Sequence, residues 1–392
     1  MSTSRPLSTF HPTDLVPPDI QFDVTRRFLA DQNDRKINLG QGTYRDENGL
    51  PWVLPSVQMA KSSLGDINHE YLPIAGFQPF LNEATKLLFD GTEALAEQRV
   101  ASCQSLSGTG AVMLIGLTLR KLVNHRLMFA TIGFQVKEIP CYRDGGFDFD
   151  AYISTLKTAI PGSPIVLHTC AHNPTGCDPT RGQWKTIGSI IKERQLFPIF
   201  DSAYLGFNSG SFSGDAWPIR YFLNNVNIEL AVCLSMAKNM GLYGERIGLV
   251  ACAVSSSSAA KVAQSMLQNV QRATITAPPA YGARMAAAVL STPSIREQWS
   301  KDLVVMSSRI RKMRTRVYEE LQRLQTPGDW SHVVRQTGMF AYLGISKAQV
   351  KYLEENFHVY MVETSRVSIA GLNDHYVAQF AWALDQTVRN IQ

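Results

Sequence analysis

Short apolar runs alternate with amphipathic helical patterns from residue 21 to about Leu290, and this alternation constrains the fold more than any other feature of the chain. The apolar runs that we interpret as strands include Pro164–His168, Phe197–Phe200, Leu230–Leu234 and Ile247–Val254. Helical patterns such as Arg181–Glu193 lie between them. Alternation of this kind predicts an α/β fold with a mainly parallel sheet flanked by helices.

The two ends of the chain differ from this central part. Residues 1–20 are rich in Ser, Thr and Pro and predict an extended N-terminal arm, which commonly docks on a second subunit. After Pro293, one long helical pattern is followed by a strand-like Met339–Leu343 and two further helices. We therefore predict a large domain over residues 46–292 and a smaller α+β domain formed by residues 21–45 and 293–392.

The composition excludes several classes of protein. With 45% hydrophobic and 18% charged residues among 392, the chain is typical of a globular protein and not of a disordered one. The net charge of +5 is modest, and the basic run Arg309–Arg316 fits a solvated helix face, so no nucleic-acid partner is indicated. No apolar run reaches transmembrane length, and the N-terminus lacks the hydrophobic core of a secretory signal. We expect a cytoplasmic protein without a membrane partner.

The six cysteines lie mostly within apolar segments, and none forms a Cys-x-x-Cys pair. This pattern indicates reduced, buried thiols. No metal site is predicted.

A lysine follows the apolar run Leu230–Leu234 within the segment LSMAKNMGLYGER. Lys238 would lose hydration where it leaves a buried strand, which lowers the pKa of the amine and favours its neutral, nucleophilic form. Ser235 lies three residues before Lys238 and Arg246 eight residues after it, so a hydroxyl and a guanidinium could hold a phosphate beside the amine. An amine for a Schiff base and ligands for a phosphate are what a pyridoxal-phosphate site requires.

Two other interpretations of this lysine are open from the segment alone. The spacing of Ser235 and Lys238 also matches the Ser-x-x-Lys pair of acyl-transfer enzymes related to β-lactamases. Those enzymes carry further Ser-Asp-Asn and Lys-Thr-Gly elements, and neither occurs in this chain. A surface lysine at the end of a strand is the other possibility.

Polar motifs follow other predicted strands, where the active sites of parallel sheets form. The segment Ser107–Thr109 opens a helical pattern, so its backbone N–H groups and hydroxyls would suit a phosphate, although most such turns bind nothing. Asn173 lies in the turn Ala171–Gly176, where a cis Pro174 would aim the Asn173 amide into the crevice at the strand ends. An ordinary Asn-Pro turn is the alternative.

A carboxylate lies at the end of the apolar run Phe197–Phe200. A buried, unpaired Asp201 would be costly and needs a cationic partner, which a protonated pyridine nitrogen would supply. Tyr204, three residues later, could donate its phenol to the ring oxygen of the same cofactor. An aspartate that only caps a helix is the alternative.

Together with the segment His69–Ile74 (HEYLPI), these motifs resemble the aspartate aminotransferase family of fold-type I pyridoxal-phosphate enzymes. The resemblance runs from about Phe10 to the C-terminal helix. It implies that Lys238 forms a Schiff base with pyridoxal 5′-phosphate and then moves the α-proton as general base. It also implies that Asp201 keeps the pyridine nitrogen protonated and that Asn173 and Tyr204 bind the ring oxygen. The phosphate ligands that it implies are Ser107, Gly108, Thr109, Ser235, Arg246 and the partner's Tyr71.

The same resemblance has implications for the substrate. Arg366 matches the family's clamp for the substrate α-carboxylate, which a planar guanidinium binds through two hydrogen bonds. Arg272, six residues before Pro278, matches the arginine that reaches across a dimer to the distal carboxylate of aspartate or glutamate. Gly42 matches a segment that lines the substrate pocket, to which Asn173 also contributes.

The resemblance therefore implies a homodimeric enzyme that moves the amino group of L-aspartate or L-glutamate to a 2-oxo acid, either 2-oxoglutarate or oxaloacetate. An aromatic or specialised-pathway aminotransferase is the alternative, because such relatives can retain both arginines.

The sequence departs from the family after the helix that begins at Ser107. In the family a strand follows that helix and ends in an aromatic residue, usually Trp, that stacks on the cofactor ring. Here the segment Leu119–Val123 continues directly into Asn124 and His125, and Leu122 falls nearest to the aromatic position. His125 would still support Asp201.

Loss of an internal strand would leave its neighbours without hydrogen-bond partners and apolar cover. Three explanations compete: a mispredicted or alternatively spliced transcript, a shift of the following strand Gln135–Ile139 into the gap, or a catalytically impaired relative that binds the cofactor or a partner. We favour the first, because the motifs on both sides are intact.

Overall fold

The computed structural model describes residues 19–122 and 137–391. The described strands are β1 (Ile37–Asn38), β2 (Val100–Leu106), β3 (Tyr142–Arg143), β4 (Gly146–Phe147), β5 (Pro164–His168), β6 (Phe197–Ser202), β7 (Leu230–Ser235), β8 (Ile247–Ala253), β9 (Phe340–Tyr342), β10 (Val359–Tyr360) and β11 (Arg366–Ser368).

The first described helices are α1 (Ile20–Ala30), α2 (Pro55–Ser63), α3 (Gln78–Phe89), α4 (Glu93–Ala96), α5 (Ser107–Leu122), α6 (Phe149–Lys157), α7 (Arg181–Glu193), α8 (Phe212–Asp215) and α9 (Trp217–Tyr221). The later ones are α10 (Ser257–Thr274), α11 (Tyr281–Ser291), α12 (Pro293–Arg323), α13 (His332–Arg335), α14 (Lys347–Phe357) and α15 (Val377–Asn390). A π-helix (Phe222–Val226) follows α9, and a 3-10 helix (Ile369–Gly371) follows β11. In the described part of the chain, no helix is both long enough and apolar enough to cross a bilayer.

A five-stranded sheet in the order β2-β8-β7-β6-β5 forms the centre of the structure. Strands β5, β6 and β7 are parallel, whereas β8 is antiparallel to both of its neighbours, β2 and β7. Four of the five strands therefore point the same way. Strand β8 is reversed because only the loop 236–246 joins it to β7, and a parallel neighbour would need a longer crossover. The predicted mainly parallel sheet flanked by helices is confirmed.

Every residue of β7 and β8 is buried. This burial explains why both strands read as continuous apolar runs, since helices cover both faces of the sheet. Helix α5 packs on β7 and β8, and α10 packs on β2. The buried apolar side chains of the sheet, α12 and α15 form one continuous cluster. The division into two domains at residues 46 and 293 stays a prediction.

Short strands in the C-terminal part of the chain pair with a strand from the N-terminal part and with each other. Strand β1 pairs in parallel with β10, and β9 pairs with β11 in antiparallel fashion, with Arg366 opposite Tyr342. The long helix α12 connects these elements to the central sheet, because its buried Trp299 donates an indole N–H to the Asn239 carbonyl at 2.7 Å. Asn239 directly follows Lys238, so α12 supports the lysine loop.

The edge of the sheet at β5 bears on the departure from the family. Among the described residues, β5 pairs only with β6. Of the expected strand Gln135–Ile139, the described part from Lys137 onward is not a strand, so a shift of this segment into the gap is not supported there. Its first two residues, the segment 123–126 and most of the predicted arm lie outside the described residues, as does the side chain of Leu122.

Candidate active site

The predicted lysine, asparagine and aspartate lie at the carboxyl ends of three neighbouring strands of the sheet. Lys238 follows β7, Asp201 is the fifth residue of β6, and Asn173 follows β5. These three strands are parallel, so their carboxyl ends meet, as the sequence predicts. The Lys238 Nζ atom lies 5.4 Å from the centre of the Tyr204 ring, which brings a fourth predicted residue into the same group.

The pKa of the Lys238 amine is lowered from that of an ordinary lysine. Burial lowers the pKa of Lys238, and the nearby charge of Asp201 opposes this by raising it. The charges of Arg246 and Arg366 lower the same pKa further. The loss of hydration expected from the sequence is therefore the main cause, and Lys238 is neutral in a larger fraction of molecules than an exposed lysine at the same pH.

Two buried hydroxyls lie beside the first turn of α5. The Ser107 and Ser235 side chains are 2% and 1% exposed, and their Oγ atoms are hydrogen-bonded to each other at 2.7 Å. The Ser235 Oγ also accepts the Ala237 N–H at 3.2 Å. Ser235 is thus paired with Ser107, as two ligands of one group would be, and this geometry favours the phosphate interpretation over a Ser235–Lys238 acyl-transfer pair.

The remaining predicted phosphate ligands surround this pair more loosely. Gly108 is buried next to Ser235. Thr109 is exposed, and the exposed Arg246 donates a guanidinium N–H to the Tyr243 carbonyl at 3.0 Å. Two hydroxyls at the start of a 16-residue helix, with an arginine whose charge reaches Lys238, fit a phosphate monoester.

The turn that holds Asn173 has the predicted form, since the Asn173–Pro174 peptide bond is cis. The Asn173 side chain lies close to the Tyr204 phenol. Burial raises the pKa of Tyr204, and the negative charge of Asp201 raises it further. Tyr204 therefore stays protonated across the neutral range and is able to donate its phenol hydrogen.

Arg366 is 3% exposed and is held from three sides. Its Nη1 donates to the Asn173 Oδ1 at 3.1 Å, and its Nη2 donates to the Gly40 carbonyl at 2.8 Å. The guanidinium lies 4.4 Å from the centre of the Phe340 ring. Its Nε is buried without a hydrogen-bond partner in the described structure. Such a desolvated cation attracts a carboxylate ligand.

Phe340 is a site residue that the sequence did not reveal. Besides Arg366, its ring meets Tyr204 edge-on with 6.0 Å between centres. A Cβ at Gly42 would lie 2.7 Å from the Phe340 ring, so the glycine lets the predicted pocket segment approach this ring. A phenylalanine in a short strand carries no local signal of such a position.

Tyr71 and Arg272 lie apart from these groups. Tyr71 is 83% exposed, and Arg272 is exposed on α10. The sequence assigned both residues to the site of a neighbouring subunit, and surface positions in a single chain suit that assignment. Their roles stay predictions.

Comparison with known proteins identifies the family. Residues 34–384 match the model of the aminotransferases of class I and II. The chain belongs to this family. The cytoplasmic aspartate aminotransferase of Schizosaccharomyces pombe is 40% identical over 95% of this aminotransferase and 96% of the relative.

Solved structures agree with this assignment. The cytoplasmic aspartate aminotransferase of Saccharomyces cerevisiae superimposes with a TM-score of 0.93 at 40% identity, over 97% of this chain and 98% of the other. The aromatic-amino-acid aminotransferase of Burkholderia pseudomallei, covalently bound to pyridoxal phosphate, has a TM-score of 0.92 at 34% identity, over 97% and 100% of the two chains. The predicted family and the predicted fold are therefore confirmed.

Proposed function

We propose that this aminotransferase moves the amino group of L-aspartate or L-glutamate to a 2-oxo acid, 2-oxoglutarate or oxaloacetate, with pyridoxal 5′-phosphate bound at Lys238. The observation that carries the proposal is the half-buried Lys238 amine of lowered pKa, which lies beside Tyr204 and within reach of the Asp201 charge. The fission-yeast and budding-yeast relatives, both named aspartate aminotransferase, support the choice of substrate.

The cofactor would be held by residues of this chain together with one residue of the partner subunit. The phosphate would bind Ser107, Gly108, Thr109, Ser235, Arg246 and the partner's Tyr71. Asp201 would keep the pyridine nitrogen protonated, and Asn173 and Tyr204 would donate to the ring oxygen. When bound, pyridoxal phosphate supplies an electron sink for the charge that is left when the α-proton of the amino acid is removed.

The chain's own residues then bind the substrate and move its proton. The neutral amine of Lys238 accepts the α-proton, and its lowered pKa increases the fraction of base that is ready to do so. Arg366 binds the α-carboxylate through two parallel hydrogen bonds, while the Phe340 ring holds the guanidinium plane. Burial of Arg366 keeps water from competing for the carboxylate.

A homodimer and a cytoplasmic location are part of the proposal. Tyr71 and Arg272 are exposed on the single chain, and each would complete the partner's site. The yeast relatives carry the word cytoplasmic in their names. A catalytically impaired protein is not favoured, because the similarity to named aspartate aminotransferases extends over nearly the whole chain.

The proposal is tested by the colour of the purified protein. After addition of pyridoxal phosphate, we expect a visible absorbance band that decreases when L-aspartate is added and returns when 2-oxoglutarate is added. The band reports the bond to Lys238, so Lys238→Ala protein treated in the same way is the control. A protein that stays colourless with added cofactor would contradict the proposal.

Arg272 separates the dicarboxylate proposal from the aromatic alternative. Arg272→Ala is expected to lower kcat/KM for L-aspartate by about 100-fold, because a charge-assisted, bidentate contact with the distal carboxylate is lost. The same change should alter kcat/KM for L-phenylalanine by less than about threefold. Steady-state kinetics with both amino acids measures the difference, and Arg296→Ala, which removes an arginine of α12, is the control. Equal losses for both substrates would contradict the assignment of Arg272.

A further inference from the structure

One carboxylate joins the Asn173 turn to the segment that leads into β9. The Asp178 side chain accepts the N–H groups of Ala171 at 2.7 Å and His172 at 2.9 Å, which directly precede Asn173. It also accepts the Thr337 hydroxyl at 2.8 Å. Asp178 therefore ties a turn that follows β5 to a segment that lies 159 residues away in the sequence.

The backbones of these two segments are in close contact. The Thr337 N–H donates to the Gly176 carbonyl at 2.7 Å. Gly338 has a φ of +73°, and a Cβ at this position would collide with the Ala171 side chain. Gly176 has a φ of +66°, and a Cβ there would lie 2.8 Å from the Phe340 carbonyl oxygen. The turn and the start of β9 are therefore packed so closely that neither segment can move without displacing the other.

The two segments in this contact also carry the residues that hold Arg366, the proposed ligand of the substrate α-carboxylate. Asn173 accepts a hydrogen bond from Arg366 on one side. On the other side, Phe340 begins β9, pairs with Ser368 of β11 and supports the Arg366 guanidinium with its ring. Asn173 and Phe340, which both contact Arg366, therefore belong to two different segments of the chain. The hydrogen bond from Thr337 to Asp178 joins these two segments.

A buried arginine fixes the same segment from its other side. Arg314 of α12 is 3% exposed and donates to the carbonyls of Val333 at 3.0 Å, Thr337 at 3.0 Å and Gly338 at 2.8 Å, and also to that of Phe340. The guanidinium holds the backbone of residues 333–340, while Asp178 holds the Thr337 side chain. The segment is thus clamped between a cation and an anion.

We propose that Asp178 and Thr337 are positioning residues, whose hydrogen bond sets the spacing between Asn173 and Arg366 and thereby the affinity for the substrate carboxylate. Neither residue is among those assigned to the cofactor or the substrate. Small displacements of binding groups have large effects, since a misplacement of about 1 Å can change a rate by about 100-fold. The inference rests on the proposed function in taking Arg366 as the carboxylate clamp.

Two substitutions of one residue provide the test. Thr337→Val keeps the shape of the side chain and removes the hydroxyl, whereas Thr337→Ser keeps the hydroxyl. In the holoenzyme, Thr337→Val is expected to raise the KM for L-aspartate about tenfold and to change kcat less than about twofold. A tenfold change corresponds to the lower end of the free energies that are typical for loss of one hydrogen bond to a charged group. The Kd for succinate, measured by titration calorimetry, should rise by the same factor. Thr337→Ser should restore both values to within about twofold of the unaltered enzyme.

Thr326 offers a matched control. Its hydroxyl donates to the buried Asp385 carboxylate at 2.8 Å, the same distance as in the Thr337–Asp178 pair. Thr326→Val should lower the thermal midpoint by an amount similar to that of Thr337→Val, yet leave the KM for L-aspartate and the Kd for succinate unchanged. The inference is overturned if Thr337→Val and Thr337→Ser have the same KM, or if Thr326→Val raises it equally. An unaltered enzyme that does not react with L-aspartate contradicts the proposed function instead.

Discussion

Lys238→Ala is expected to lower kcat for amino transfer by about 10⁴-fold or more, because it removes both the nucleophile that holds the cofactor and the base that moves the proton. Asp201 and Tyr204 stay in place, but neither carries an amine. A coupled assay that follows oxaloacetate formed from L-aspartate measures the rate. Single-turnover kinetics with saturating cofactor separates loss of chemistry from loss of cofactor binding.

The control for this loss of activity is a lysine that is exposed to solvent and lies outside the candidate site. Lys185 is exposed on α7, and Lys185→Ala should leave kcat and KM within about twofold of the unaltered enzyme. The thermal midpoint of both variants should stay close to that of the unaltered chain. If Lys238→Ala kept a tenth of the activity, another group would have to be the base.

Arg366→Lys is expected to lower kcat/KM for L-aspartate by about 100-fold, although the positive charge is kept. The guanidinium makes two directed hydrogen bonds, to Asn173 and to Gly40, and lies against the Phe340 ring. An ammonium is a single point charge and cannot keep both of these contacts while it binds a carboxylate through two parallel bonds. The effect should appear with both L-aspartate and L-glutamate, since both carry the α-carboxylate.

Arg323→Lys is the matched control for this substitution. Arg323 lies at the end of α12 and pairs with Glu320 on the surface, so the same change should leave kcat/KM within about twofold. A loss of less than about threefold in Arg366→Lys would contradict the assignment of Arg366 to the carboxylate. Arg366→Lys should also weaken succinate binding in titration calorimetry, which does not depend on turnover.

Much of the fold could be predicted from local patterns. Helix α7 has the predicted bounds Arg181–Glu193, because Thr180 and Gln183 form a capping box that fixes its first turn. Strand β7 extends the predicted run by one residue, to Ser235. The apolar run of β8 does not encode its direction, since a buried run reads the same in both directions, and the only signal of its reversal is the short connection 236–246 to β7.

The candidate site could be predicted only where its residues follow predicted strands. Lys238, Asn173 and Asp201 follow or end predicted strands, so the topology of a parallel sheet brings them together. Asp178, Thr337 and Phe340 resemble ordinary turn and strand residues. Their positions depend on contacts between distant segments, such as the hydrogen bond between Thr337 and Asp178, which no local pattern encodes.

The reversal of β8 has a consequence for the reactive amine. The loop 236–246 begins at the end of β7 and returns into the adjacent strand, where Ser235 is opposite Gly248 and the Met236 N–H donates to the Ile247 carbonyl at 3.1 Å. Both ends of the loop are thus anchored within two neighbouring, fully buried strands. The backbone beside Lys238 is held as well, because the Lys238 carbonyl accepts the Gly241 N–H at 3.0 Å and the Asn239 carbonyl accepts the Trp299 indole N–H at 2.7 Å, so the amine moves mainly through its own four methylene groups. The sheet therefore keeps the amine at a high effective concentration in the crevice before any ligand arrives.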